Sequence, residues 1–260
     1  MNTSELKRFA KCGLRAVDVS GNLIRECNRK PFHVEVKGDG SPVTSVDEAV
    51  EDRIREIISV EHPDHGIIGE ERKAYAADSE FLWVIDPIDG TLAFLAGIPV
   101  FGTLLALLYN GVPVLGIIDM PMTGERWVGA DGLQTTRNGK PVRSRACEDL
   151  SMALMSTSNP DYYDDTNAPA LERLKKATRF AVYGGSCMFY AQIASGRVDI
   201  CIDVQFTPYD YLALIPVVQG AGGVFTNWQG SAAGLHSGNQ YIASGDPRVH
   251  EQALKILSGH

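Results

Sequence analysis

From residue 168 onward, helical and strand signals alternate, and that alternation limits the chain to a small set of layered architectures. Helical patterns cover 168–177, 185–195, 208–220 and 248–257. Strand patterns cover 179–183 and 198–202, with further strands near Val224-Phe225 and Tyr241 to Ala243. The first half is built differently. Leu6, Phe9, Gly13, Ala16, Val17, Ser20, Leu23, Ile24 and Cys27 recur at helical spacing, and the small residues in the stripe would let another helix come close. Pro42-Val43-Thr44 announces a second helix, with Thr44 as N-cap and an apolar face of Val46, Ala49, Val50, Ile54, Ile57 and Ile58. Strands follow at 66–69, 81–85, 102–108, 112–119 and 125–128. The third and fourth are joined by an Asn110-Gly111 turn that reads as a hairpin. The expected fold is α/β layered. No repeat or linker marks a boundary, so residues 1–260 form one domain, with 1–150 and 151–260 as its possible subdomains.

Composition narrows the partners. A 44% hydrophobic content over 260 residues is enough for a large core, and a net charge of -8 disfavours nucleic acid. An anionic ligand would need a local cation to enter such a surface. The five cysteines form no CxxC pair and no zinc spacing, which suits reduced, buried thiols in a cytosolic protein. His33, His62, His65, His236, His250 and His260 show no paired metal spacing and read as surface or loop residues. The N-terminal residues lack a signal peptide's apolar core, and no apolar run is long enough for a bilayer. The expectation is a cytoplasmic protein without membrane contact.

Chemistry concentrates at strand ends. Trp83-Val84-Ile85-Asp86-Pro87-Ile88-Asp89-Gly90-Thr91 delivers two aspartates, three residues apart, into a turn. Gly90-Thr91 could open a short helix whose free N–H groups face an anion. Carboxylates with a backbone carbonyl are hard oxygen ligands suited to magnesium. Taken alone, Asp-Pro-x-Asp-Gly is also ordinary turn chemistry. Glu70 and Glu71 end another apolar strand, and Asp210 stands near a helix start, where the dipole alone would favour it. Three acidic ends in one chain make a cation site plausible, although spacing does not prove that they converge.

Gly69-Glu70-Glu71, then Asp86-Pro87-Ile88-Asp89-Gly90-Thr91, then Tyr209-Asp210 before Gly220-Ala221-Gly222-Gly223, resemble the inositol monophosphatase superfamily along nearly the whole chain. The resemblance implies an α-β-α-β-α sandwich and two or three magnesium ions held by Glu70, Asp86, Asp89, Asp210 and the carbonyl of Ile88. It implies that Asp47 and Thr91, with Glu70, position a metal-activated water for in-line attack on a small phosphate monoester. It also implies a homodimer. Asp47 has a second reading, because Thr44-x-x-Asp47 is similar to a capping box.

Within the superfamily, residues 99–104, 116–119, 125–127 and 209–216 resemble the histidinol-phosphate phosphatase branch, which implies L-histidinol phosphate as substrate. An inositol, sugar or nucleotide phosphate is the alternative, and a non-catalytic metal-binding relative is the reading from a different class. The resemblance assigns the substrate to Gly90, Thr91, Ser186 and Asp203. Asp203 could pair with an ammonium or accept from a hydroxyl, and otherwise reads as a strand-end surface acid. Ser186 stands where that branch carries an acid.

Overall fold

The structure, a computed structural model, describes residues 3–38 and 40–259. Helix α1 (Thr3–Cys27) leads into the antiparallel pair β1 (Val34–Val36) and β2 (Pro42–Thr44), and then α2 (Ser45–Glu61). A seven-stranded sheet follows in consecutive order: β3 (Gly66–Gly69), β4 (Phe81–Asp89), β5 (Gly102–Tyr109), β6 (Val112–Met120), β7 (Glu125–Ala130), β8 (Thr136–Arg137) and β9 (Lys140–Pro141). Only β3 and β4 pair in parallel in it, and the short helix α3 (Thr91–Ala96) separates β4 from β5. The β5–β6 turn has both Asn110 and Gly111 at positive φ, 49° and 78°, as an Asn-Gly hairpin turn requires.

The second half supplies β10 (Leu154–Thr157), α4 (Ala168–Ala177), β11 (Phe180–Tyr183), α5 (Ser186–Ala194), β12 (Ile200–Asp203), α6 (Pro208–Tyr211), α7 (Leu214–Gly220), β13 (Val224–Asn227), β14 (Tyr241–Ser244) and α8 (Pro247–Leu257). Its five strands form a mixed sheet in the order β11-β10-β12-β14-β13.

Three apolar clusters produce five layers. α1 and α2 cover one face of the large sheet through Phe9, Val17, Val50 and Ile54 against Trp83, Ile85, Leu105 and Ile117. The opposite face, with Leu104, Ile118 and Trp127, meets α5 and α7, whose other side meets Cys201, Phe225, Tyr241 and Ala243 of the small sheet. α4 and α8 close the far side with Leu171, Leu174, Val249 and Ala253 on Ile200, Ile202 and Ile242. The layering is α-β-α-β-α. Residues from both halves of the sequence share the central cluster.

α1 packs along α2 as the stripe of small residues leads one to expect, and it also meets the large sheet: a Cβ at Gly13 would lie 2.8 Å from Ile117 Cδ1. Two sequence expectations are corrected. The helix expected over 208–220 is two helices. Pro216 falls in the first turn of α7, where its missing N–H has no intrahelical acceptor to lose. The 81–85 strand continues to Asp89 through an irregularity between Asp86 and Asp89, so these acids belong to a bulged strand end rather than a turn after it. Among the described residues, no helix is long and apolar enough to cross a membrane.

Candidate functional site

The bulge at the end of β4 turns Asp86 and Asp89 toward the start of α6. There, one carboxylate oxygen each from Asp86, Asp89 and Asp210 lie within 4.8 Å of one another. Each acid is oriented locally. Asp89 Oδ2 accepts the backbone N–H of Cys187 at the start of α5, at 2.6 Å. Asp210 Oδ2 accepts from the N–H and hydroxyl of Thr207, at 2.7 and 2.8 Å, in a capping box that opens α6. Asp86 is 2% exposed, and its Oδ1 has no hydrogen-bond partner.

Burial, together with the charges of Glu70, Asp89, Asp210 and Asp47, holds the Asp86 carboxyl well above the usual carboxylate range. Burial followed by Asp89 pushes Asp210 up to about 7, against the Thr207 bonds. Burial raises Asp89 as well, opposed by its bond to Cys187. A buried aspartate with an unpartnered oxygen, beside two half-buried ones, is a poor arrangement for a chain alone and a good one for a hard divalent cation. The donor set therefore fits the magnesium that the motifs imply.

Glu70 follows β3, with its N–H on Ile85 O, and its charge acts on all three acids. Its carboxylate is held by Lys37, whose Nζ donates to Glu70 Oε1 and Glu71 Oε1, both at 2.8 Å. Burial pushes Glu71 up to about 7 despite this lysine. Under the loop, fully buried Glu51 accepts Glu71 N–H at 2.7 Å and Arg55 Nε at 2.7 Å. Gly69 makes room for it, since a Cβ there would lie 2.1 Å from Glu51 Oε1.

Asp47 is 1% exposed, and its Oδ2 accepts from the N–H and hydroxyl of Thr44 in a complete capping box. Burial raises its pKa, and the charge of Glu70 adds to the effect. Thr91 Oγ1 donates to the carbonyl of Ile88 at 3.2 Å rather than to Asp47. Gly90, at φ 86°, begins α3 and lies against Ser186: a Cβ on it would come 3.0 Å from Ser186 Oγ. Gly90, Ser186 and the Asp89–Cys187 contact thus form one wall.

Asp203 is not a surface acid. It is 2% exposed and accepts from Thr157 Oγ1, Ser158 N–H, Ser158 Oγ and Tyr190 Oη at 2.7–3.0 Å. Burial raises it to about 6 against these four bonds. Of the histidines read as surface residues, His62, His65 and His250 are buried, while His260 lies outside the described residues. Cys187 is buried, and burial followed by the Asp89 charge holds its thiol far above its ordinary pKa, so it stays protonated.

Sequence reasoning missed Lys37 and Glu51. A lysine in Lys37-Gly38 carries no periodic signal, and Glu51 four residues before Arg55 looks like an exposed helix pair. The apolar neighbours Val50 and Ile54 were the available hint that Glu51 lies close to the buried face.

The model of the inositol monophosphatase family matches residues 5–260. The bifunctional phosphatase IMPL2 of Arabidopsis thaliana, a chloroplastic protein, is 41% identical across all of this chain and 78% of its own. A histidinol-phosphatase of Chlorobaculum parvum is 34% identical over 78% of each chain. The solved structure of an inositol monophosphatase from Zymomonas mobilis matches with a TM-score of 0.89 at 37% identity, covering 99% of this chain and 100% of that one.

Proposed function

The chain belongs to the inositol monophosphatase family and is a phosphatase of that family; from this premise we propose that it is magnesium-dependent and that its preferred substrate is L-histidinol phosphate. The observation that carries the metal reading is Asp86 Oδ1, buried and unpartnered beside Asp89 and Asp210. Asp86, Asp89, Asp210, the Ile88 carbonyl and Glu70 would hold the cations, with Glu70 exchanging Lys37 for metal. When bound, magnesium supplies Lewis acidity and neutralises phosphoryl charge.

The chain's own residues would orient the attack. The Thr91 hydroxyl donates its hydrogen bond to the Ile88 carbonyl, which leaves its oxygen to accept from a water. Asp47 is anchored through one oxygen by Thr44, and a carboxylate with a raised pKa is a better proton acceptor. The water adds to phosphorus as the ester P–O bond breaks. Asp47 receives the water's proton, and the departing oxygen takes its proton from solvent. Lys37 is the cation poised to receive the phosphate's charge at the rim.

The 34% identity to a histidinol-phosphatase over most of both chains supports the substrate. A neutral-headed monoester is the second reading, supported by Ser186 in place of an acid and by the four filled acceptor positions of Asp203. Side-by-side kcat/KM values for L-histidinol phosphate, inositol 1-phosphate, a sugar phosphate and a nucleotide monophosphate, with magnesium and with chelator, decide between them. A clear advantage for a neutral head overturns the histidinol reading alone. No magnesium-dependent phosphate release from any monoester overturns both. The assembly proposed is a homodimer: β11 is a sheet edge with all four residues exposed, Phe180 at 61%, and apolar edges of this kind are normally covered. A monomer by light scattering would overturn that part.

A further inference from the structure

A second group of potential ligands lies between α1 and the end of α2, on residues that the phosphatase reading does not use. Cys12 Sγ, a Glu61 carboxylate oxygen and a ring nitrogen of His62 lie within 4.8 Å of one another. Cys12 is fully buried on the inner face of α1. Glu61 is the last residue of α2, and His62 is its C-cap, with its N–H on Ile58 O. His62 is 9% exposed, and its Nε2 is buried without any hydrogen-bond partner. A buried imidazole nitrogen without a partner is uncommon, because it forfeits its hydrogen bond to water and receives nothing in return. His65 cannot serve it: its Nδ1 accepts the Trp83 indole N–H at 3.0 Å, and its ring stacks on His62 with centroids 4.6 Å apart.

We propose that Cys12, Glu61 and His62 form a site for a borderline-soft divalent cation of the zinc class, separate from the carboxylate site and bridging α1 to α2. The donor chemistry is the reason. Thiolate, imidazole and carboxylate together select zinc over magnesium, which takes oxygen donors. Three protein ligands leave a fourth tetrahedral position for water. Ligand atoms around such an ion stand ~3.5 Å apart, so a small closure of side chains already within 4.8 Å would complete the site. The C-terminal end of a 17-residue helix adds partial negative charge where the cation would sit.

The opposing charges are Arg15, paired with Glu61, and Arg8, which lies over the Phe9 ring. Glu61 can keep Arg15 on one oxygen and offer the other. Binding converts the Cys12 thiol to thiolate and releases its proton to solvent past half-buried Glu61. Burial, with Glu61, holds that thiol up at about 12, so metal must displace the proton. The affinity should therefore tighten about tenfold per pH unit between pH ~6 and ~8.

The test is cobalt substitution in the full-length protein, because a thiolate ligand gives cobalt an intense near-ultraviolet charge-transfer band that carboxylates do not. One equivalent of Co2+ with magnesium in excess should produce the band, and Zn2+ should bleach it. Cys12→Ser should abolish it, whereas Cys187→Ser, beside the phosphatase site, should leave it intact. Zn2+ should also raise the Tm of the native protein by several degrees, and less in His62→Gln. Absence of the band, or a band that survives Cys12→Ser, overturns the proposal. If circular dichroism shows that Cys12→Ser does not fold, His62→Gln decides: cobalt affinity weakened at least tenfold supports the site, and unchanged affinity overturns it.

Discussion

Asp89 Oδ2 accepts the backbone N–H of Cys187 at 2.6 Å, which fastens the end of β4 to the start of α5, 98 residues later. The contact does two things at once. It orients a carboxylate whose charge burial disfavours, and it places Ser186 against Gly90 on the wall beside the acidic cluster. It also links the large sheet to the middle helical layer at the point where chemistry is expected.

Replacing Asp86 by Asn should lower magnesium-dependent turnover by about 10²–10³-fold, as for loss of a group that stabilises transition-state charge. The same change removes a carboxyl whose ionised form burial and the neighbouring acids disfavour, so the variant should melt higher than wild type in chelator. Phosphate release and thermal melts together check this, and near-normal turnover would remove Asp86 from the metal site.

Asp210 makes stability without metal depend on pH. Its folded pKa of about 7 lies above the ordinary 3.8, so between these values the folded protein binds more protons than the unfolded chain. The corresponding stability is fully present below about pH 4 and is lost as pH rises through 7. Asp210→Asn removes this contribution while keeping an acceptor for Thr207. In chelator, the Tm of the variant minus that of wild type should therefore increase from pH 4 to pH 7. A flat difference would refute it.

Gly69→Ala should destabilise by about 1–3 kcal/mol, because the new methyl group meets the Glu51 carboxylate, which Arg55 and Glu71 hold in place. Because the displaced loop carries Glu70, turnover should fall too. Urea denaturation and steady-state kinetics check both, and the alanine variant of exposed Gly124 is a control for the kinetic effect.

Asp203→Asn should cost about 1–3 kcal/mol, since four donors surround the carboxylate and an amide cannot accept from all of them. The loss should affect every substrate alike. A variant with native stability and a selective loss of activity on histidinol phosphate would instead make Asp203 a direct substrate contact.

Ser186→Asp introduces the acid typical of the histidinol-phosphate branch. Ser186 adopts φ 44°, a region that Asp tolerates better than most residues, so the backbone should accept the change. The ratio of kcat/KM for histidinol phosphate to that for inositol 1-phosphate should rise about tenfold, equivalent to about 1.4 kcal/mol. An unchanged ratio would place the cationic head elsewhere.

The sequence was most readable where side chains repeat with a regular period. The inner faces of α1 and α2 and the Asn110-Gly111 hairpin follow from spacing and turn chemistry. Asp86, Asp89 and Asp210 stood out because each interrupts or follows an apolar run. What spacing could not reveal depends on groups distant in the chain. Asp203 reads as a surface acid until Thr157, Ser158 and Tyr190 close around it. Glu51 reads as exposed until Gly69 is seen to leave room for it. Lys37 acquires its role only from Glu70 and Glu71, more than thirty residues away.

The capping box that aims Asp210 lies 121 positions after Asp89, and this separation has a consequence during synthesis. At translation rates of about 5–20 residues per second, Asp86 and Asp89 leave the ribosome roughly 6–24 s before Asp210. Throughout that interval the two acids lack the third carboxylate, and for roughly its first 5–20 s they also lack the Cys187 amide. Cation capture therefore belongs to the last stage of assembly, and a chain stalled before residue 187 would display the signature acids without the cage.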